Sequence, residues 1–228
     1  MKPRVELRRV RGSLELRIDG TQASVYRPGG GVTGVVWWAL ASPIVLLPRS
    51  RRRRVLLLGL AAGSVARAIR ALDPEAEIVG VDLDREVLRL ARRHFGLDRL
   101  RLEVVVGDAL GYLRRERRRF DLIVEDLFVG PSRSVRKPDW LLDEGYRLIR
   151  RRLGPGGFVV SNTIHETPAV VRAMRPIGGR VVSLGVRRHW NRIALCGRTL
   201  PAARALRRAL AARSEMAGVL GRLSVRSW

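Results

Sequence analysis

The sequence is poor in cysteine, histidine, lysine and aromatic residues. One cysteine in 228 residues excludes an internal disulfide framework. Cys196 lies in the apolar run Ile193-Ala194-Leu195-Cys196, which reads as a buried, inert thiol rather than a nucleophile. His94, His165 and His189 are scattered without ligand spacing, so no metal site is argued. Aromatic residues make up 5% of the chain and do not interleave with the basic ones as a base-stacking surface requires. The stretch from Met1 to Glu6 lacks the apolar core of a signal peptide, which gives a cytoplasmic expectation. The uncharged run Val32 to Pro48, seventeen residues broken by Gly34 and Pro43, is at the short limit for a membrane span. A helix packed under the main sheet is the expected form.

Positive charge is what the sequence has in excess. The formal net charge is +24, and only Lys2 and Lys137 are lysines, so 43 of the 45 basic residues are arginine. The arginines recur at Arg51 to Arg54, Arg114 to Arg119, Arg150 to Arg152 and near the carboxy terminus. A solvated basic surface is the first reading, and attraction to a polyanion such as nucleic acid is the sharper one. Apolar residues at 46% and charged residues at 29% indicate a folded chain with a substantial core.

Residues 5 to 26 alternate apolar and polar about Arg11-Gly12-Ser13 and Asp19-Gly20, the pattern of a small antiparallel hairpin or meander. Pro28-Gly29-Gly30-Gly31 breaks the chain. From Val55 strands and helices alternate: strands Glu77 to Asp82, Leu102 to Val106, Phe120 to Asp126 and Phe158 to Ser161, with helices Ser64 to Leu72, Arg85 to Phe95, Ala109 to Arg117 and Leu141 to Leu153. Arg180 to Val186 and Asn191 to Gly197 form a closing hairpin, and a helix from Pro201 to Leu220 follows. The class is α/β, a doubly wound, mostly parallel, seven-stranded Rossmann-like sheet with an antiparallel hairpin at one edge. Three units are expected: 1–50, a β extension with a packed helix; 51–200, the Rossmann-like domain; and 201–228, a carboxy-terminal helix.

The apolar run Val55 to Leu58 ends in Gly59-Leu60-Ala61-Ala62-Gly63-Ser64 and a helix, with Asp82 nineteen residues past Gly63. A small-residue turn lets the backbone approach a nucleotide, the helix amino end adds partial positive charge, and an acid ending the second strand can accept both ribose hydroxyls. The fourth strand also ends in acids, Glu125 and Asp126.

Leu58 to Ser64, Val81-Asp82-Leu83-Asp84, Val106-Gly107-Asp108-Ala109, Phe120 to Asp126 and Leu153-Gly154-Pro155-Gly156-Gly157 together resemble the class I S-adenosylmethionine-dependent methyltransferase fold. Leu16-Arg17-Ile18-Asp19-Gly20-Thr21-Gln22-Ala23-Ser24 is similar to the "LDG-x-x-Q-x-S" segment of spermidine synthases, one residue shorter. The resemblance implies that Gly59, Ala61 and Gly63 form the turn under the donor, that Asp82 binds ribose and that Asp108, followed by Ala109, accepts the adenine amino group. It puts Gln22 near the donor's tail and makes Asp126, the first acid of the family's "D-S-S-D" segment, the acceptor of the attacking amine's proton. A strand-end acid can also simply cap its loop.

Three departures weigh against a polyamine acceptor. The acid that contacts a decarboxylated donor's amine is replaced by Ala62, the second acid of "D-S-S-D" by Val129, and the "Y-H-E" segment has no counterpart after Tyr26. A dication needs carboxylates or π faces to replace its water. Expected, then, is a spermidine-synthase-like transferase using S-adenosylmethionine or its decarboxylated form, with methyl transfer to a small-molecule acceptor ahead of aminopropyl transfer. An aminopropyltransferase recognising polyamine through Glu125, Asp139 or Asp143 is the runner-up. A non-catalytic nucleoside-binding or polyanion-binding scaffold and an NAD-dependent oxidoreductase are the rivals, the latter disfavoured by the closing hairpin. Trp37, Trp38, Phe128 and Trp140 are candidates to line an apolar acceptor pocket, and a homodimer is possible.

Overall fold

Two short turns with consecutive left-handed residues start the fold. Arg11 and Gly12 (φ 47° and 78°) and Asp19 and Gly20 (φ 48° and 81°) twist the chain as two-residue hairpins require. They join β1 (Val5–Val10), β2 (Ser13–Ile18) and β3 (Thr21–Tyr26) into a three-stranded antiparallel sheet. The computed structural model describes residues 3–29, 34–48, 53–131 and 134–228. Gly30 and Gly31 of the glycine break, Val32 at the head of the uncharged run, and Arg49, Arg51 and Arg52 of the arginine run therefore lie outside the described residues.

The rest of the uncharged run is not a span. It forms α1 (Val35–Ala41) and a 3-10 turn over Ser42–Leu46, with Pro43 in that turn's first positions. Among the described residues no helix is long and apolar enough to cross a membrane. Trp37, Leu40 and Ile44 are buried in the core, as the packed-helix expectation requires.

β4 (Arg54–Leu58) reads as a continuous apolar run because both of its faces are covered. Val55 and Leu57 join the core under the small sheet and α1, while Leu56 and Leu58 join the core on the opposite face. The chain continues through α2 (Ser64–Leu72), β5 (Glu77–Asp82), α3 (Arg85–Phe95), β6 (Glu103–Val106), α4 (Ala109–Arg115) and β7 (Phe120–Glu125). Then follow α5 (Tyr146–Arg152), β8 (Leu153–Thr163), α6 (Thr167–Ala173), β9 (Arg180–Val186), β10 (Arg192–Gly197), α7 (Ala203–Ala211), α8 (Ala217–Leu220) and β11 (Leu223–Ser227). The large sheet has the order β11-β9-β10-β8-β7-β4-β5-β6. β4 pairs in parallel with β5 on one side and β7 on the other, so the winding reverses between β4 and β7. A crevice at the carboxyl ends of these strands is where open α/β sheets hold ligands.

Three details differ from the sequence reading. The sheet has eight strands rather than seven, because Leu223–Ser227 adds antiparallel to the edge of β9 in a region read only as helix. β8 begins at Leu153 and takes in Gly154 to Gly157, which bulge between the pairs Phe120↔Leu153 and Leu122↔Phe158. The arginines are not all surface charge. Arg53 is buried, pairs with Asp73 at 2.5 Å (Nε to Oδ2) and donates to the Ile44 carbonyl at 3.1 Å. Arg70 likewise ties α2 to the Ala76 and Leu100 carbonyls.

Candidate functional site

The turn after β4 is built from left-handed residues: Gly59 at φ 88°, Ala61 at 46° and Gly63 at 82°. Gly59 admits no side chain, since a Cβ there would lie 2.6 Å from the Asp126 carbonyl oxygen. The glycine thus lets the ends of β4 and β7 close on each other, with Asp126 N–H donating to the Leu58 carbonyl at 2.9 Å. Ala61 keeps the left-handed conformation that a glycine adopts freely and an L-residue holds at about 1–2 kcal/mol.

Every N–H of the turn already has an acceptor. Gly59 and Leu60 donate to the Val81 carbonyl (3.0 and 3.1 Å), and Gly63 donates to the Leu60 carbonyl (2.9 Å). Ala61 donates to Asp82 Oδ2 (2.7 Å) and Ala62 to Ser24 Oγ (3.0 Å). From Gly59 to Gly63 the turn thus offers the expected closeness, with its own N–H groups held inside the protein. Ser64 Oγ bonds both the N–H and the carbonyl of Val25 (3.0 and 3.2 Å), so β3 is fastened to the turn at two points. Gln22 is exposed on β3, where a bulge pairs Leu16 with Ser24 and Arg17 with Gln22, so Gln22 lies on the opposite strand face from the buried Ser24.

Asp82 ends β5 beside this turn. Besides the Ala61 contact, its Oδ1 accepts from Asp84 N–H at 3.0 Å. Burial raises its carboxyl above the ordinary aspartate value, and these backbone donors oppose that shift. Leu83 is 72% exposed, an apolar side chain held in the open next to the acid, and periodicity gave no signal for it. Asp108 is exposed and caps α4, its Oδ2 accepting from Gly111 N–H at 2.7 Å, while Ala109 is buried behind it.

Asp126 follows β7 and is half-buried; its Oδ1 accepts from Asn162 Nδ2 at 2.8 Å. Burial raises its carboxyl above the ordinary value, opposed by the nearby Lys137 charge and the Asn162 donor. Asn162 Oδ1 in turn accepts from Asn191 Nδ2 at 2.9 Å, which links Asp126 to the β9–β10 hairpin. Asn162 and Asn191 were not singled out in the sequence. Only the three-dimensional alignment of β8 and β10 brings them to Asp126.

Glu125 points away from Asp126, as strand alternation requires, and is fully buried. Its Oε1 accepts from Leu127 N–H and from Lys137 Nζ, both at 2.7 Å. Its Oε2 accepts from the Tyr146 hydroxyl at 3.4 Å and from Ser161 Oγ. Glu125 has no room for an acceptor amine, which corrects its candidacy. Asp139 and Asp143 are exposed and pair with Arg136 and Arg147 at 2.5 and 3.7 Å. The four aromatic candidates also divide. Trp37 is buried in the core beneath the small sheet and Trp38 packs against it, Trp140 packs on the opposite core, and the Phe128 ring lies under Lys137 Nζ.

Residues 55–157 match the family model of a methyltransferase domain. The polyamine aminopropyltransferase 2 of Hyperthermus butylicus is 31% identical over 156 residues, covering 64% of this chain and 50% of that protein. The polyamine aminopropyltransferase of Aeropyrum pernix is 31% identical over 133 residues, covering 55% and 42%. The chain spans about half the length of these curated relatives. A probable spermidine synthase from Corynebacterium glutamicum superposes with a TM-score of 0.78 at 20% identity, covering 99% of this chain and 88% of that one. Human methyltransferase-like protein 13, solved with SAH, superposes at 0.63 and 21% identity, covering 85% and 92%. At these identities the superpositions establish the fold.

Proposed function

We propose that this chain, a spermidine-synthase-like protein with a methyltransferase fold, is a transferase that passes an alkyl group from an S-adenosyl sulfonium donor to a small nucleophile. The Gly59–Gly63 turn carries the reading. It is left-handed, pressed against the Asp126 carbonyl, and has all five N–H groups taken. A nucleoside with a sulfonium tail needs only the close approach that this turn offers.

In this reading each Asp82 oxygen keeps a second lone pair for a ribose hydroxyl. Asp108 Oδ1 accepts from the adenine amino group, Leu83 and Ala109 border the base, and Gln22 flanks the donor's tail. The donor supplies an electrophilic carbon on sulfur; the protein's share is in-line positioning and removal of a proton. Asp126 is the proton acceptor. Burial makes it more basic than an ordinary carboxylate, and Asn162 holds Oδ1 so that Oδ2 is left for the nucleophile.

The names of the relatives favour aminopropyl transfer. Ala62 favours methyl transfer, because it is fully buried, has its N–H held by Ser24, and gives a decarboxylated donor's amine no carboxylate. Calorimetry with S-adenosylmethionine and its decarboxylated form, at moderate salt, decides between them. We expect tighter binding of the carboxylated donor, and an Asp126→Asn variant that binds it normally but transfers little. Binding of neither donor sinks the transferase reading, and an Asp126→Asn variant with full function would favour a scaffold.

Three further readings from the sequence have no site geometry behind them and stand as proposals. They are cytoplasmic residence, unit boundaries near residues 50 and 200, and a homodimer or polyanion contact through the arginine surface. Fractionation, limited proteolysis, and sizing with an oligonucleotide titration at two salt concentrations test them in turn.

A further inference from the structure

Lys137 is one of two lysines among 45 basic residues, and its side chain is wholly buried. Its Nζ donates to Glu125 Oε1 at 2.7 Å and to the Leu127 carbonyl at 2.9 Å, and lies 3.9 Å from the centre of the Phe128 ring. A carboxylate, a carbonyl and an aromatic face are what an alkylammonium needs in exchange for its water. A planar guanidinium does not match three acceptors converging on so compact a site, and here an arginine-rich chain carries a lysine. The cage stands one residue from Asp126. On the other side of Asp126, the Asn162–Asn191 link leads to a hairpin exposing Arg187, Arg188 and His189.

We propose that Lys137 is a built-in alkylammonium that fills the cation cage beside Asp126. The acceptor is then a nucleophile without a second ammonium: a monoamine or an uncharged group, not a diamine. This rests on the transferase reading above. With Glu125 neutralised from inside the chain, Asp126 can match one positive charge. A second ammonium would find Glu125 already paired with Lys137 and would face the arginine hairpin beyond Asn162 and Asn191.

Two measurements on the full chain test this. First, Lys137→Ala is melted with and without n-propylammonium chloride, which replaces the three carbons and ammonium removed, at fixed ionic strength. The variant should melt lower than the parent, and the amine should recover about half of the loss or more in a saturable way, as a ligand bound only by the folded state does. The parent should not respond. An unrescued variant, or a parent stabilised equally, overturns the cage. Second, with the donor present, n-butylamine should be used by the parent at least about tenfold better than 1,4-diaminobutane, or bound that much more tightly if neither is alkylated. Preference for the diamine overturns the proposal. If the alanine variant does not fold, the parent's preference decides alone. If no donor binds, the transferase reading fails while the rescue experiment still decides the cage.

Discussion

Gly59→Ala is the substitution from which the structure demands most. The new Cβ would lie 2.6 Å from the Asp126 carbonyl oxygen and 3.0 Å from its carbon, both backbone atoms at the end of a central strand. The ends of β4 and β7 would have to part until that contact reaches the 3.4 Å of ordinary van der Waals approach. Parting them stretches the Asp126 N–H bond to the Leu58 carbonyl, 2.9 Å in the parent and worth about 1 kcal/mol. The backbone at φ 88° adds about 1–2 kcal/mol of strain for any L-residue. Together these destabilise the fold by about 2–3 kcal/mol, a loss of roughly 4–12 °C in melting temperature for a chain of this size. Asp126 moves with the strand end, and a misplacement near 1 Å costs about 100-fold in a positioning-dependent step. Differential scanning calorimetry and a transfer assay on Gly59→Ala read both effects. Gly107→Ala is the control, because that glycine follows β6 at the same edge, has a negative φ and has nothing within 4 Å of a new Cβ. Parent-like stability and transfer in Gly59→Ala would refute the account of this turn, as would an equal loss in the control.

Three other substitutions test the same geometry. Asp126→Asn should melt higher than the parent at pH 7. The parent's raised carboxyl favours the protonated form when folded, so its contribution is intact below the ordinary carboxylate value and is lost as pH rises through the folded one. The gap between the two melting temperatures should close as the pH is brought down towards about 4, and a gap that widens there contradicts the burial argument. Ala61→Gly should leave donor affinity unchanged and stabilise modestly, by about 0.5–1 kcal/mol in urea unfolding, because relief of left-handed strain exceeds glycine's entropy loss. Asp73→Ala strands the buried Arg53 guanidinium and should cost about 3–5 kcal/mol, read as a lowered denaturation midpoint.

The fold was largely legible because its strongest signals are local. Val55 to Leu58 is apolar throughout because β4 is covered on both faces, and Asp-Gly and Arg-Gly mark the two small hairpins by their left-handed requirement. β11 escaped because a five-residue alternation, Leu223-Ser224-Val225-Arg226-Ser227, is too short to stand out after a helical pattern. Only the edge of β9 makes it a strand. The arginines misled for a related reason. Charge in a sequence implies solvent, but Arg53 and Arg70 turn inward onto backbone carbonyls, a role no spacing announces.

The candidate site was half legible, and the division follows the chain. Gly59, Ala61, Gly63, Asp82, Asp108 and Asp126 each stand at a strand end or in the turn that follows one, so reading the strands located them. Asn162, Asn191 and Lys137 act across 36, 29 and 12 residues of sequence, and their types carry no signal alone. In the proposed reading they bear on the acceptor, and the motif residues bear on the donor. The motif supplies a closely packed turn and the strand-end acid Asp82, to which the proposed reading gives the donor. Lys137 removes one of the two strand-end carboxylates from use, and Asn162 fixes the orientation of the other. Two adjacent acids in sequence thus become one buried ion pair and one carboxylate with an oxygen left over, and the proposed acceptor is matched to that single group.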